Sequence, residues 1–302
     1  MAINTIEGAS MGGNWRLRLP ASEDPQAARA LVQGALDLVE AQMSAWRPDS
    51  VLSRVNAAPL DAWVDLPAEM AFVLRAGLGL MAEAPGAFSI LLGGASARHG
   101  FVPGRACAAS SDPGSVECDG QRIRRRADVA LDLNAIAKGH AADLAAQRLR
   151  AAGQRNFLID VAGDIVAAGL RPDGLPWTVA LELPVPDRII PARLIPLSDG
   201  VAGGAIATSG GYRRARGGAS HLIAPKTGAP LPADGASVAV LAPTALQADG
   251  WATVMAVLGP EAGLALAEAR GLAVAFIQPD PPAGFVERGS SAMAALLDGR
   301  AA

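Results

Sequence analysis

Aromatic residues are scarce in this chain of 302 residues: Phe, Trp and Tyr together make up 4%, with a single tyrosine. Hydrophobic residues of all kinds still reach 51%, much of it alanine, which excludes a disordered chain. Cysteine is limited to Cys107 and Cys118, which lie in a polar stretch and either pair across a short loop or stay free thiols. An excess of positive charge is also missing. The net charge is −3 and the pI is near 5.7, which gives no general basis for nucleic-acid binding. No apolar run is long enough to span a bilayer. The opening residues, MAINTIEGAS, lack a basic segment followed by an apolar one. The expected location is the cytoplasm, or the periplasm if a leader has been removed. No internal repeat or long linker divides the chain, so one domain over residues 1–302 is expected.

The most informative stretch is Leu131 to Asp143, LDLNAIAKGHAAD. Val129, Ala130 and Leu131 form a short apolar run that reads as a buried strand. Asp132 follows, and Asn134 suits a helix N-cap. Ala137, Ala141, Leu144, Ala145 and Leu149 then recur at helical spacing up to Gly153. Lys138 sits in the first turn and Gly139 beside it has no Cβ. Free N–H groups, a lysine and a glycine together suit an anion such as phosphate. An ordinary strand–helix joint with a solvated lysine explains the same residues.

Elsewhere the reading gives helices over residues 25–46 and 67–84, and strands over 155–161, 177–183, 193–207, 236–242 and 272–277. This mixed order implies an α+β fold and not a regular βα alternation. Thr244-x-x-Gln247 fits a capping box that opens a further helix. On that helix Asp249 and Thr253 lie four apart, on one face. A carboxylate and a hydroxyl are hard ligands suited to Mg²⁺; equally, they suit the helix dipole and a backbone carbonyl. Asp249 is expected as an exposed cleft carboxylate. Thr208-Ser209-Gly210 makes either a phosphate-accepting nest or a plain turn. Asn56 holds a ligand or caps a turn. Arg122, Arg124, Arg125 and Arg126 form hairpin edges or a basic rim for a nucleotide.

Several of these segments resemble the ApbE family of FAD:protein FMN transferases. LDLNAIAKGHAAD is similar to the family's DLxxIAKGxAxD, and ATSGGYRR to ATSGDYxR. HLIAPKTG is similar to HIIDPxTG, and ADGWATVMAVLG to ADALATAxxVLG. MSAWRPDSVLSRVNA matches a further block, and the likeness runs over residues 11 to 277. Among the departures, Gly13 stands where relatives have threonine in MGT, Ser89 and Gly94 where they have Asp and Pro in GAFDxTxGP, and Ala224 where they have aspartate. The resemblance implies a two-lobed, T-fold-related architecture with the flavin between the lobes. It implies FAD as substrate, Mg²⁺ on the pyrophosphate, and an acceptor flavoprotein of the FMN-binding-domain type. A threonine hydroxyl of that acceptor would take FMN, and AMP would leave. Carried over residue by residue, Met11, Asn56, Asp132, Lys138, Thr208, Ser209, Gly210 and His221 would contact FAD. Asp249, Thr253 and the backbone carbonyl of Ala137 would hold the metal. His221 and Asp249 would be catalytic. FAD hydrolysis to FMN and AMP, or FAD binding without turnover, are the alternatives.

Overall fold

The structure is a computed structural model that describes residues 2–21, 23–185, 188–199, 204–211, 215–282 and 284–298. Eight strands form the main sheet. Their spatial order is Ile3–Ser10, Gly13–Pro20, Phe157–Val161, Asp164–Ala168, Ala205–Gly210, Ser237–Ala242, Ala273–Asp280 and Gly284–Gly289. Every neighbouring pair is antiparallel. The α+β class expected from the element order is what the structure has. The edge strands Ile3–Ser10 and Gly284–Gly289 have no counterpart in the sequence reading.

Strand periodicity explains how the sheet is covered. Successive residues face opposite sides. Val238, Val240 and Ala242 therefore join one core cluster while Ala239 and Leu241 join another. The larger cluster lies under the helices Pro25–Met43, Ala68–Glu83, Ala137–Ala151 and Ala245–Arg270. The smaller lies under a two-stranded ribbon, Trp177–Glu182 with Pro191–Leu197, and the terminal helix Ser291–Leu297. Helix starts follow local chemistry. Asp24 accepts hydrogen bonds from the N–H groups of Gln26 and Ala27, ahead of Pro25 in the first turn. The Thr244 hydroxyl accepts from Gln247 N–H at 3.2 Å, as the capping box requires.

Three expectations need correction. Val129–Leu131 is buried but is not a strand, because its polar groups are paired with a side chain and with loops (below). Asn134 does not cap. The helix opens at Ala137, Ile136 precedes it without a side-chain cap, and Asn134 is exposed. By length and composition the Ala245–Arg270 helix is long and apolar enough to cross a bilayer. It is instead a core helix, interrupted at Gly259 (φ 74°) just before Pro260, with Trp251, Val254 and Met255 buried. Both cysteines are free, Cys107 buried and Cys118 half-buried.

The helices Ala137–Ala151 and Ala245–Arg270 cap each other. Asp143 on the first accepts from the N–H groups of Ala245 (2.8 Å) and Leu246 (2.9 Å) on the second. Asp249 on the second accepts from Gly139 N–H on the first at 3.1 Å. Each carboxylate thus satisfies donors that a helix start leaves unpaired. The backbones have to approach closely for this. A Cβ on Gly139 would stand 2.2 Å from the Ala245 carbonyl oxygen. Gly139 therefore admits a neighbouring helix, and the close approach is not reserved for an anion.

Two outcomes follow from this contact. Gly139→Ala should destabilise the fold by roughly 1–3 kcal/mol through forced separation of the helices, as measured by denaturant unfolding. A loss within experimental error would show that the contact yields freely. Burial pushes the Asp143 carboxyl from its ordinary 3.8 up to about 6, against the two N–H bonds that favour its charged form. A raised carboxyl favours folding below its unfolded value and loses that contribution as pH rises through the folded value. The melting temperature should therefore carry a decline between about pH 4 and pH 6 that Asp143→Asn flattens. An unchanged slope in the variant would remove Asp143 as its source.

Candidate active site

The floor of the site is the irregular segment around Leu131. It forms no ladder with a strand, so its polar groups are satisfied one by one. Asn56 Oδ1 accepts from Leu131 N–H at 2.8 Å, and Asn56 Nδ2 donates to the Leu131 carbonyl at 2.9 Å. Gly93 N–H donates to the Ala130 carbonyl, and Asp132 N–H to the Ile90 carbonyl. These bonds correct the expectation for Asn56. Its amide is used on backbone 75 residues away, and it lines neither of the clefts described next. Both the donor and the acceptor of the amide are engaged, so it serves the site by fixing Leu131 and Asp132.

Asp132 emerges from this floor. Its carboxylate accepts from the Ser96 hydroxyl (2.9 Å) and from Asn134 N–H (3.0 Å), and burial raises its carboxyl above the usual range. Two adjoining clefts open here. One of about 620 Å³ is lined by Met11, Trp46, Phe101, Asp132, Ala137, Lys138 and His221. The other, about 220 Å³, is lined by Asp132, Lys138, Thr208, Ser209, Gly210, His221, Asp249 and Thr253. The structure therefore gathers ten residues singled out in the sequence, all except Asn56, around two clefts that share Asp132, Lys138 and His221. Tyr212, in the same motif as Thr208, lies outside the described residues. Met11 sits at φ 54° in the turn between the first two strands, where Glu40 accepts from its N–H at 3.4 Å.

Charge concentrates where the clefts meet. Lys138 Nζ lies 2.7 Å from Asp164 Oδ2 and 3.6 Å from Asp249 Oδ2. Both carboxylates are buried, at 1% and 4% exposure. Asp249 is thus not the exposed carboxylate expected from its helix position; the neighbouring helix start covers it. Burial, then the charge of Asp164, pushes its carboxyl up to about 8, with Lys138 opposing. In the sequence Asp164 follows a glycine bend similar to the family's GGD turn and reads as a residue that caps or binds. Ala162 (φ 54°) and Gly163 (φ 100°) make that turn and bring Asp164 under the helix that carries Lys138.

Other candidates fall away from the site. Arg122 and Arg124 pair with Asp119 and Glu117 and stack on Trp63. Arg125 is buried and bonded to the Val129 carbonyl. These arginines build a hairpin and not a nucleotide rim.

The donor set suits Mg²⁺. Asp249 and Asp164 face one lysine, and burial together with the Asp164 charge disfavours a second negative charge there unless a cation neutralises it. Both contacts of Asp249 fall on Oδ2, so Oδ1 is available to a ligand, and Thr253 lines the same cleft one turn on. Among the described residues no group of three or more His, Cys, Asp or Glu side chains is arranged for a metal. An ion that takes few protein ligands and keeps waters or phosphate oxygens, as Mg²⁺ does, needs no such group.

The model of the ApbE family matches residues 11–276. The FAD:protein FMN transferase of Klebsiella pneumoniae (strain 342) is 31% identical over 298 residues, covering 90% of this chain and 83% of that protein. That of Haemophilus influenzae is 31% identical over 292 residues, covering 88% and 82%. The apo crystal structure of Pseudomonas stutzeri flavinyl transferase ApbE superposes with a TM-score of 0.84 at 30% identity, covering 100% of this chain and 98% of that one. The flavin transferase ApbE of Vibrio cholerae gives 0.84 at 29% identity, covering 98% and 100%.

The ion cluster makes Lys138 structural as well as site-lining. Lys138→Met removes the close partner of the buried Asp164 carboxylate and should cost about 3–5 kcal/mol at neutral pH. Unfolding titrations should show that loss shrinking in acid, where the carboxyls protonate. Wild-type stability in the variant would mean that the cluster is solvated.

Proposed function

The chain belongs to the ApbE family, and from that premise we propose that it transfers FMN from FAD to a hydroxyl group of an acceptor protein. The observation that carries this reading is the junction of the two clefts, where Lys138, Asp249 and Thr253 converge. The larger cleft has the volume and the apolar lining for a flavin. The polar junction beside it suits the pyrophosphate.

Phosphoryl transfer depends mainly on positioning and on neutralising charge. An acceptor threonine oxygen forms a bond to the FMN phosphorus, the pyrophosphate P–O bond breaks, and AMP leaves with its phosphate. Asp249, Thr253 and the Ala137 carbonyl would hold Mg²⁺, which when bound supplies positive charge to the pyrophosphate oxygens. Lys138 lines both clefts and adds a second cation on the phosphate path. Thr208, Ser209 and Gly210 offer hydroxyls and backbone to phosphate oxygens, and His221 lies between the clefts within reach of either half of the substrate. Met11 and Asp132 bound the flavin side.

The test is incubation with FAD, Mg²⁺ and a threonine-bearing acceptor of the FMN-binding-domain type, read by the acceptor's mass. A covalent FMN adduct with stoichiometric AMP is expected. Free FMN with AMP and an unmodified acceptor would make the enzyme a hydrolase, and unchanged FAD would make it a binding protein. Asp249→Ala should abolish Mg²⁺-dependent transfer. Its stability loss should be about 1–3 kcal/mol, because the buried Gly139 N–H is left without its acceptor. Thr253→Ala should act in the same direction but more weakly, because a neutral hydroxyl is a poorer Mg²⁺ ligand. Wild-type transfer by Asp249→Ala at limiting Mg²⁺ would remove the metal assignment.

A further inference from the structure

We propose that Asp164 is a positioning residue that draws Lys138 away from Asp249 and so keeps Asp249 open to a divalent cation. The inference rests on the reading of Asp249 as a metal ligand. Three observations carry it. Lys138 Nζ is nearly 1 Å closer to Asp164 than to Asp249, at 2.7 Å against 3.6 Å. Asp164 is anchored: its backbone is paired on one side with Val161 and on the other with Ala207. The lysine, by contrast, reaches it on a flexible four-carbon stem. Asp164 also lines neither cleft, whereas Lys138 lines both and Asp249 lines the smaller, so Asp164 is not placed to hold an ion there itself.

A lysine ammonium and a divalent cation compete for the same carboxylate. At 3.6 Å the ammonium lies outside hydrogen-bond distance of Asp249. Loss of the Asp164 charge removes the stronger attraction, and Lys138 then closes on Asp249 Oδ2. That contact neutralises the carboxylate and puts a fixed cation beside the ion's position. The arrangement therefore uses one buried aspartate to hold the lysine so that the other can bind metal. The Ala162–Gly163 turn, with both residues at positive φ, sets where Asp164 stands.

The test is direct Mn²⁺ binding to the full chain without FAD, read by electron paramagnetic resonance of the free ion, alongside a melting curve. Asp164→Asn keeps the size of the side chain and removes a buried charge while Asp249 still faces the lysine, so the fold should persist. Its Mn²⁺ affinity should fall roughly tenfold, a coupling of ordinary size for side chains in contact. Adding Lys138→Met to that variant should recover most of the loss, because the competing ammonium is gone. Wild-type affinity in Asp164→Asn overturns the proposal. So does a double variant as weak as the single, which would mean that Asp164 acts on the ion without Lys138. Should Asp164→Asn fail to fold, the double variant still decides, since near wild-type affinity is expected of it and a tenfold loss refutes. Asp249→Ala is the separate control: if it binds Mn²⁺ like wild type, the metal reading of Asp249 fails, and with it the premise.

Discussion

The architecture of the site depends on one close contact, the Gly139 backbone against the Ala245 carbonyl, with a Cβ position only 2.2 Å from that oxygen. At this separation the two helices donate and accept across their starts through Asp143 and Asp249. A helix start normally finds its cap in the preceding residues. Here the Ala137 start has no side-chain cap of its own and takes one from Asp249, and the Ala245 start adds Asp143 to its local Thr244 cap, so neither start is complete alone. The consequence is that Lys138, Asp249 and Thr253 are placed relative to one another by tertiary contact and not by two independent local signals.

Much of the fold is legible in the sequence where a local rule decides the outcome. The apolar stripe from Ala28 to Met43, the Thr244–Gln247 cap and the alternation in Trp177–Glu182 all correspond to elements of the structure. The edge strand Ile3–Ser10 was not legible, because its residues are mostly exposed and its order comes from pairing with Gly13–Pro20. Val129–Leu131 misled for the opposite reason. It is as buried as a strand but is partnered by an amide side chain and loops. The break before Pro260 was legible, because Pro260 to Arg270 reads as a further helix stopped by Gly271, and Gly259 interrupts the run at φ 74°.

The candidate site divides in the same way. Motif spacing brought ten residues to the two clefts, but burial could not be read from spacing. Asp249 sits on a helix face beside Thr253, and only the covering helix reveals that it is enclosed and that its carboxyl is pushed up to about 8. The partner of Asp164 was hidden because it is a lysine 26 residues earlier in the chain, reached through a turn that the sequence marks only by Gly163. Enclosure is what makes the charges matter. An ion pair in water contributes little, whereas two carboxylates and one ammonium shielded from water set one another's protonation and reach.

Asn56 shows what kind of group the floor of the cleft requires. It meets Leu131 as a neighbouring peptide would, giving one hydrogen and taking another. Only a carboxamide can imitate a peptide in this way, since aspartate has no hydrogen to give and an alcohol cannot serve two groups in one plane. A carboxamide also has no proton to lose. The bed beneath Asp132 is therefore indifferent to acidity, while Asp132, Lys138 and Asp249 above it all carry ionisable groups. Chemistry at the junction can change its charge state without loosening the support on which it stands.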